Sequence, residues 1–226
     1  MNIVTDKTFK YNLERLDLNT REFDFIKNFF YLTTDPNESF DTQYDVEGFD
    51  IYKVVENGPT KTEEEKSNNL MLFHGTKNKD HATGILKEGF RNSESGYFGK
   101  GVYMTECSCT AFDYTGVRLN DVKGTEFLNY VFVNEVLGSE KMRTFTFTIG
   151  DALDMDEDNT AELTHPFEKH VKRHSPQPTE EDYKEDMLGR RYRNLEIHGE
   201  SVLDEFVADA KVTIPRYLIA LKTKKN

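Results

Sequence analysis

Phe23, Ile26 and Phe30 recur at i, i+3 and i+7 behind an Asn19/Glu22 pair able to cap a helix. This spacing predicts an amphipathic helix over residues 20–31 with its apolar stripe on the core. Further on, Asp50-Ile51-Tyr52-Lys53-Val54-Val55 reads as a strand, closed by the Gly58-Pro59 turn and a charged loop, KTEEEKSNN. Leu70-Met71-Leu72-Phe73 is a short apolar run suited to a buried strand and ends at His74-Gly75. Asp80 can cap a short helix through Lys87 with Gly89 as its stop, and Ser108 can cap another through Tyr114. Asn129–Leu137, Thr144–Ile149, Glu205–Ala208 and Arg216–Leu221 are strand-like, the second by strict alternation. Residues 150–194 are polar, carry Pro166, Pro176 and Pro178, and predict long loops. The sum is a sheet-rich α+β chain with a few short helices and no internal repeat.

Composition narrows the functions this pattern could serve. A chain of 226 residues with 36% hydrophobic and 12% aromatic residues can bury a core of its own, and one domain is expected. The balance of 29 Lys+Arg against 41 Asp+Glu, a net charge of −12, repels phosphate backbones and argues against direct nucleic-acid binding. The two cysteines, Cys107 and Cys109, are too close in sequence to staple a fold and too few for a four-cysteine zinc site. They are expected to be ordinary free thiols in a reducing, intracellular setting, cytoplasmic or nuclear. The N-terminal residues lack the apolar run of a signal peptide, and no later segment is long enough to span a bilayer. His165, His170 and His174 share a polar loop without an obvious fourth ligand, so no metal is expected.

The most distinctive stretch is GYFGKGVYMTE, residues 96–106. An ATPase phosphate loop needs a glycine five residues before Gly-Lys-Ser/Thr; here Glu94 stands five before Gly99, and Gly101 follows Lys100. A dinucleotide fingerprint of the GxGxxG kind is also missing. By glycine count alone the stretch reads as close backbone approach within a β core. Taken singly, His74, Tyr103 and Tyr114 read as structural and Glu205 as a solvated surface charge.

The joint pattern says more. Phe73-His74-Gly75-Thr76, then Gly84-Ile85-Leu86-Lys87-Glu88-Gly89-Phe90-Arg91, then Gly96-Tyr97-Phe98-Gly99-Lys100-Gly101-Val102-Tyr103, then Ala111-Phe112-Asp113-Tyr114 stand in one order. Val133-Asn134-Glu135-Val136-Leu137-Gly138, Glu205-Phe206-Val207 and Arg216-Tyr217-Leu218-Ile219 continue it. Together they resemble the catalytic domain of the poly(ADP-ribose) polymerase family, the diphtheria-toxin-like ADP-ribosyltransferases, over nearly the whole chain. The lead-in helix and strand look like those of its DNA-damage-responsive branch, without room upstream for that branch's regulatory and DNA-binding domains.

The resemblance implies an α+β ADP-ribosyltransferase fold, split mostly antiparallel β-sheets with short helices around an NAD cleft, spanning 1–226 with a short extension at 1–18. It implies NAD+ as substrate, cleavage of the nicotinamide–ribose bond, and transfer of ADP-ribose without metal to an acceptor, a protein or the chain itself, by a monomer. His74, Tyr103 and Glu205 would form the triad. Gly75 would hold the nicotinamide amide through its backbone, Tyr103 and Tyr114 would sandwich the ring, and His74 would hold the adenosine ribose. Thr76, Arg91 and Tyr97 would complete the nucleotide site.

Two departures leave alternatives open. Counting back without gaps from Arg216-Tyr217-Leu218-Ile219 reaches Asp204 rather than Glu205, and adjacent strand residues face opposite ways. Gapless counting also puts Ala111 where the family has an amide-binding serine, while a slip of one residue brings in the hydroxyl of Thr110. Polymer and single-unit transfer both stay open. So do an NAD- or ADP-ribose-binding module without turnover and a non-enzymatic domain whose acidic face docks a basic partner.

Overall fold

The computed structural model describes residues 3, 5–33, 44–58, 69–94, 99–117, 122–137, 143–148, 183–185, 191–193 and 202–226. For residues 143–148, 183–185, 191–193 and 202–205 the description covers the backbone alone. Thirteen elements follow in chain order: β1 (Tyr11–Arg15), α1 (Arg21–Leu32), β2 (Tyr44–Glu56), β3 (Leu70–Thr76), α2 (Lys79–Glu88), β4 (Val102–Thr105), α3 (Ser108–Asp113), β5 (Glu126–Val136), β6 (Arg143–Thr148), β7 (Tyr183–Glu185), β8 (Arg191–Arg193), β9 (Val202–Ala208) and β10 (Thr213–Lys225).

The helix predicted over 20–31 is α1, but its cap is Thr20, whose hydroxyl accepts the Phe23 N–H at 3.2 Å. Asn19 is engaged one residue too early, its N–H and side-chain amide both donating to Asp17 Oδ1. The helix predicted from Asp80 begins at Lys79 with Asn78 as its cap, and Gly89, at φ 87°, ends it. The helix predicted from Ser108 starts there, but Cys107 is its cap residue and Tyr114 closes it. Strand β1 lies within the 1–18 extension and pairs with β2, so that segment extends the sheet.

The strands run in the order β1-β2-β10-β5-β3-β4-β9-β6, with β7 and β8 branching from β3. Pairings are antiparallel except β3 with β8. The sheet nearly divides between β3 and β4, which share one paired position, Phe73 opposite Thr105. β5 stays in register with β3 through Thr76, opposite Tyr130. Beyond Phe73 the β4-facing edge of β3 therefore has no strand partner among the described residues.

Alternation along β10 shows how the faces are covered. Ile219 and Leu221 pack with Phe23, Ile26, Phe29 and Phe30 of α1, and with Phe73; Leu218 and Ala220 pack on the opposite face with Ala82 and Leu86 of α2. Phe29 stacks on Phe73 at 4.8 Å between ring centroids. Each such fully buried side chain contributes about 1.5–3 kcal/mol of transfer free energy, so α1 holds β3 through Phe73, while α2 is held on β5 and β10 of the opposite face. A third cluster, with Leu70, Leu72, Met104 and Phe206, joins β3 to the β4–β9 leaf. One buried carboxylate ties the centre together: Glu135 of β5 accepts from Arg216 Nε at 2.6 Å and from Asn69 Nδ2 at 2.9 Å.

Candidate active site

β3 ends in Phe73-His74-Gly75-Thr76, and its last residues pass beside α3 closely enough to dictate the residue at 75. A Cβ placed on Gly75 would lie 1.8 Å from the Ala111 carbonyl oxygen and 3.2 Å from Tyr114 Cβ. Only glycine fits, and the reason is the approach of another backbone. α3 is anchored from the far side, where the Ser108 N–H donates to Thr33 O at 3.2 Å and its hydroxyl to Phe30 O at 2.5 Å. The fit between β3 and α3 is thereby linked to the packing of α1.

In the gap between β3, β4 and α3 sits a cavity of about 60 Å³. Phe73, Met104 and Ala111 give it apolar walls, Gly75 exposes backbone to it, and Tyr103 and Tyr114 both line it. It opens toward a larger cleft of about 670 Å³, with which it shares His74, Gly75, Tyr103 and Tyr114. Thr76 and Arg91 also line that cleft, as do residues of α2. The structure thus brings His74, Gly75, Thr76, Arg91, Tyr103 and Tyr114 to one connected space. Tyr97 lies outside the described residues.

His74 is held from two sides. Its Nδ1 stands 2.7 Å from the Tyr103 carbonyl oxygen, and because a carbonyl can only accept, Nδ1 carries the proton in that contact. Phe90 meets the imidazole edge-on at 5.2 Å between centroids. In the neutral ring Nε2 is left as an acceptor, suited to a hydroxyl donor. Burial pushes the His74 pKa below 6.5; the Tyr103 carbonyl opposes this, and the nearby His81 adds to it. Tyr103 donates its own hydroxyl to Gly99 O at 2.7 Å, which fixes the phenol against the turn before β4.

The residues at the two departures are placed as follows. Ala111, not Thr110, borders the small cavity; Thr110 is buried, its hydroxyl has no hydrogen-bond partner among the described residues, and it lines neither space. For the acid, the backbone of β9 gives a register: Glu205 is opposite Thr105 and Val207 opposite Tyr103, while Phe206 is opposite Met104. Position 205 therefore shares the pleat parity of Tyr103, and position 204 that of Met104.

Three features were not anticipated. Gly101 owes its residue type to β9, since a Cβ there would meet Val207 Cγ1 at 2.4 Å, with φ at 152°. Phe90 sits in a quoted motif yet had no assigned role, because an edge-on contact across the sheet leaves no periodic trace. The cysteines, expected to be free, are joined as a Cys107–Cys109 disulfide. The extended backbone at Cys107 and the first helical turn bring their Cα atoms to 5.5 Å, within bonding range. The expected thiols are corrected accordingly.

Among the described residues no group of three or more His, Cys, Asp or Glu could hold a metal, and His165, His170 and His174 fall outside them. No helix among them is long and apolar enough to cross a membrane. A search of curated proteins gives no match. A family model, that of the poly(ADP-ribose) polymerase catalytic domain, matches residues 20–223.

Proposed function

The chain belongs to the poly(ADP-ribose) polymerase catalytic-domain family, a family of ADP-ribosyltransferases that use NAD+ as substrate, and from that premise we propose that this chain is itself an active transferase. The observation that carries the proposal is the small cavity between β3 and α3, walled by Tyr103 and Tyr114 and opening at His74 into a cleft large enough for the remainder of a dinucleotide.

In this reading nicotinamide enters the small cavity with its ring between Tyr103 and Tyr114. The amide meets the backbone of Gly75, where β3 has lost its strand partner on the β4 side. His74 Nε2 accepts from a hydroxyl of the adenosine ribose, and Thr76 and Arg91 border the nucleotide. As the C1′–N bond breaks, nicotinamide leaves with the electron pair and positive charge spreads over the ribose; an acceptor nucleophile then attacks C1′ and loses its proton. A carboxylate beside that cation lowers the barrier electrostatically. Glu205 is our choice for that carboxylate, supported by the register that gives position 205 the parity of Tyr103. The acceptor is a protein side chain, the chain itself being the first to test.

The test is incubation of the whole chain with NAD+, followed by measurement of free nicotinamide and of protein mass. Nicotinamide release with mass added in ADP-ribose steps supports the reading, and one step or many distinguishes single-unit from polymer transfer. Loss of transfer in Asp204→Asn with retention in Glu205→Gln would transfer the role to Asp204. A second reading, an NAD- or ADP-ribose-binding module without turnover, draws on Ala111, which offers the amide no hydroxyl; saturable binding without nicotinamide release would establish it.

A further inference from the structure

Three buried polar side chains tie the last turn of α3 to the sheet. Thr115, immediately after Tyr114, places its hydroxyl 2.6 Å from Phe112 O, one of the last α3 carbonyls, and 2.9 Å from Asn129 Oδ1 of β5. Asn129 Nδ2 in turn donates to the Thr223 hydroxyl of β10 at 2.7 Å. Thr115, Asn129 and Thr223 are 5%, 2% and 0% exposed. The sheet alone does not ask for such residues. Asn129 falls between Phe127 and Val131 on the β5 face that packs with α1, and Thr223 continues the β10 face of Ile219 and Leu221. Apolar side chains would extend that face, whereas a buried amide costs stability unless its groups are hydrogen-bonded. Here the amide spends one of those bonds on a residue outside the sheet.

What the amide holds is the backbone around Tyr114. The Thr115 N–H donates to Phe112 O at 2.9 Å, and Gly116, at φ 94°, turns the chain away directly afterwards. Tyr114 is 57% exposed, so burial does little to fix its ring, and its place follows from the backbone of this turn. Ser108 anchors the first turn of α3 to α1, and Asn129, through Thr115, anchors the last to β5. None of Thr115, Asn129 and Thr223 lines the small cavity or the cleft, so they can act on a ligand only through a neighbour that does. That neighbour is Tyr114, a wall of the small cavity. We infer that Asn129 is a positioning residue for the base: by way of Thr115 it fixes the last turn of α3, and with it the Tyr114 wall. The inference rests on the reading of the small cavity as the nicotinamide site.

Asn129→Leu, similar in size but apolar, and Thr115→Val, which replaces the hydroxyl by a methyl group, test it on the whole chain by thermal melting and by titration with nicotinamide and ADP-ribose. Both substitutions are expected to weaken nicotinamide about three- to tenfold, the scale of one buried hydrogen bond. ADP-ribose, which lacks the base, should bind all three proteins within about twofold of one another. Repeating the nicotinamide titration in a Tyr114→Ala background separates positioning from support of the fold. There Asn129→Leu should add no more than about twofold, because the side chain it positions is gone; a residue that merely stabilised the protein would not be coupled to Tyr114 in this way. Where Asn129→Leu fails to fold, Thr115→Val carries the same cycle. Unchanged nicotinamide affinity overturns the inference while leaving the NAD reading intact. Equal weakening of ADP-ribose also overturns it by showing general distortion, as does a full loss that persists without the Tyr114 ring. Failure of the unsubstituted chain to bind nicotinamide overturns the reading of the cavity and the inference with it.

Discussion

The two connected spaces are built on opposite principles. The small cavity, about 60 Å³, is closed by elements without slack: Gly75 touches the Ala111 carbonyl, Ser108 ties α3 to α1, and Phe73 stacks on Phe29. The cleft, about 670 Å³, is walled by the exposed stripe of α2 and by Arg91, whose guanidinium pairs with Glu88 at the surface. The first has the stiffness needed to select one flat base, because packed interiors do not deform continuously. In the proposed reading the second takes the longer, polar remainder of the nucleotide and would discriminate through a few side chains. The contrast teaches that one substitution should act very differently in the two places.

Gly75→Ala is the severest way to break the contrast. Its Cβ would force β3 and α3 apart, costing about 3 kcal/mol of stability and removing nicotinamide binding, as overpacking against backbone implies. Thermal melting with nicotinamide titration measures both. Opening the Cys107–Cys109 disulfide with a dithiol comes next: the bridge closes a three-residue loop, so its loss should cost at most about 2 kcal/mol. Nicotinamide affinity should fall, because α3 carries Ala111 and ends at Tyr114, both of which line the small cavity. Thiol counting of the unfolded protein, before and after reduction, confirms the bridge.

Ala111→Ser would sharpen the small cavity instead. A hydroxyl placed there offers the amide one more hydrogen bond and should tighten nicotinamide by about 0.5–1.5 kcal/mol, read by calorimetric titration. The smallest effect concerns pH at the wall the two spaces share. Because burial holds the folded His74 pKa below 6.5, the unfolded chain takes up the proton first, and His74 erodes stability as pH falls below 6.5. The loss stops growing below the folded value. Melting curves of the unsubstituted chain and His74→Gln should converge as the pH is lowered through that window, and the imidazole should stay neutral, by NMR titration, at pH values where a free histidine is charged.

Much of this was legible in the residues. The α1 stripe, the apolar run of β3 and the ordered motifs from Phe73 to Tyr114 pointed to the family and to the residues that meet in one space. What was lost has physical causes. Tyr11–Arg15 is a half-exposed edge strand whose sequence, YNLER, carries no clean alternation, so its place beside β2 could not be read. Ser108 through Phe112 are all buried, which erases the helical phase that would have separated Ala111 from Thr110. The choice between Asp204 and Glu205 depends on strand register, a property of pairing with β4 rather than of β9 alone. The glycine count at Gly101 reads as close approach within a β core, but that β9 is the element approaching is again a property of pairing.

The most direct check on the spatial claim is an amide chemical-shift map of the labelled chain titrated with nicotinamide. Saturable shifts centred on Gly75, Ala111 and Tyr114, absent in Gly75→Ala, are the predicted result. Shifts confined to the α2 side of the cleft, or none at saturating concentration, would contradict the assignment of the small cavity to the base.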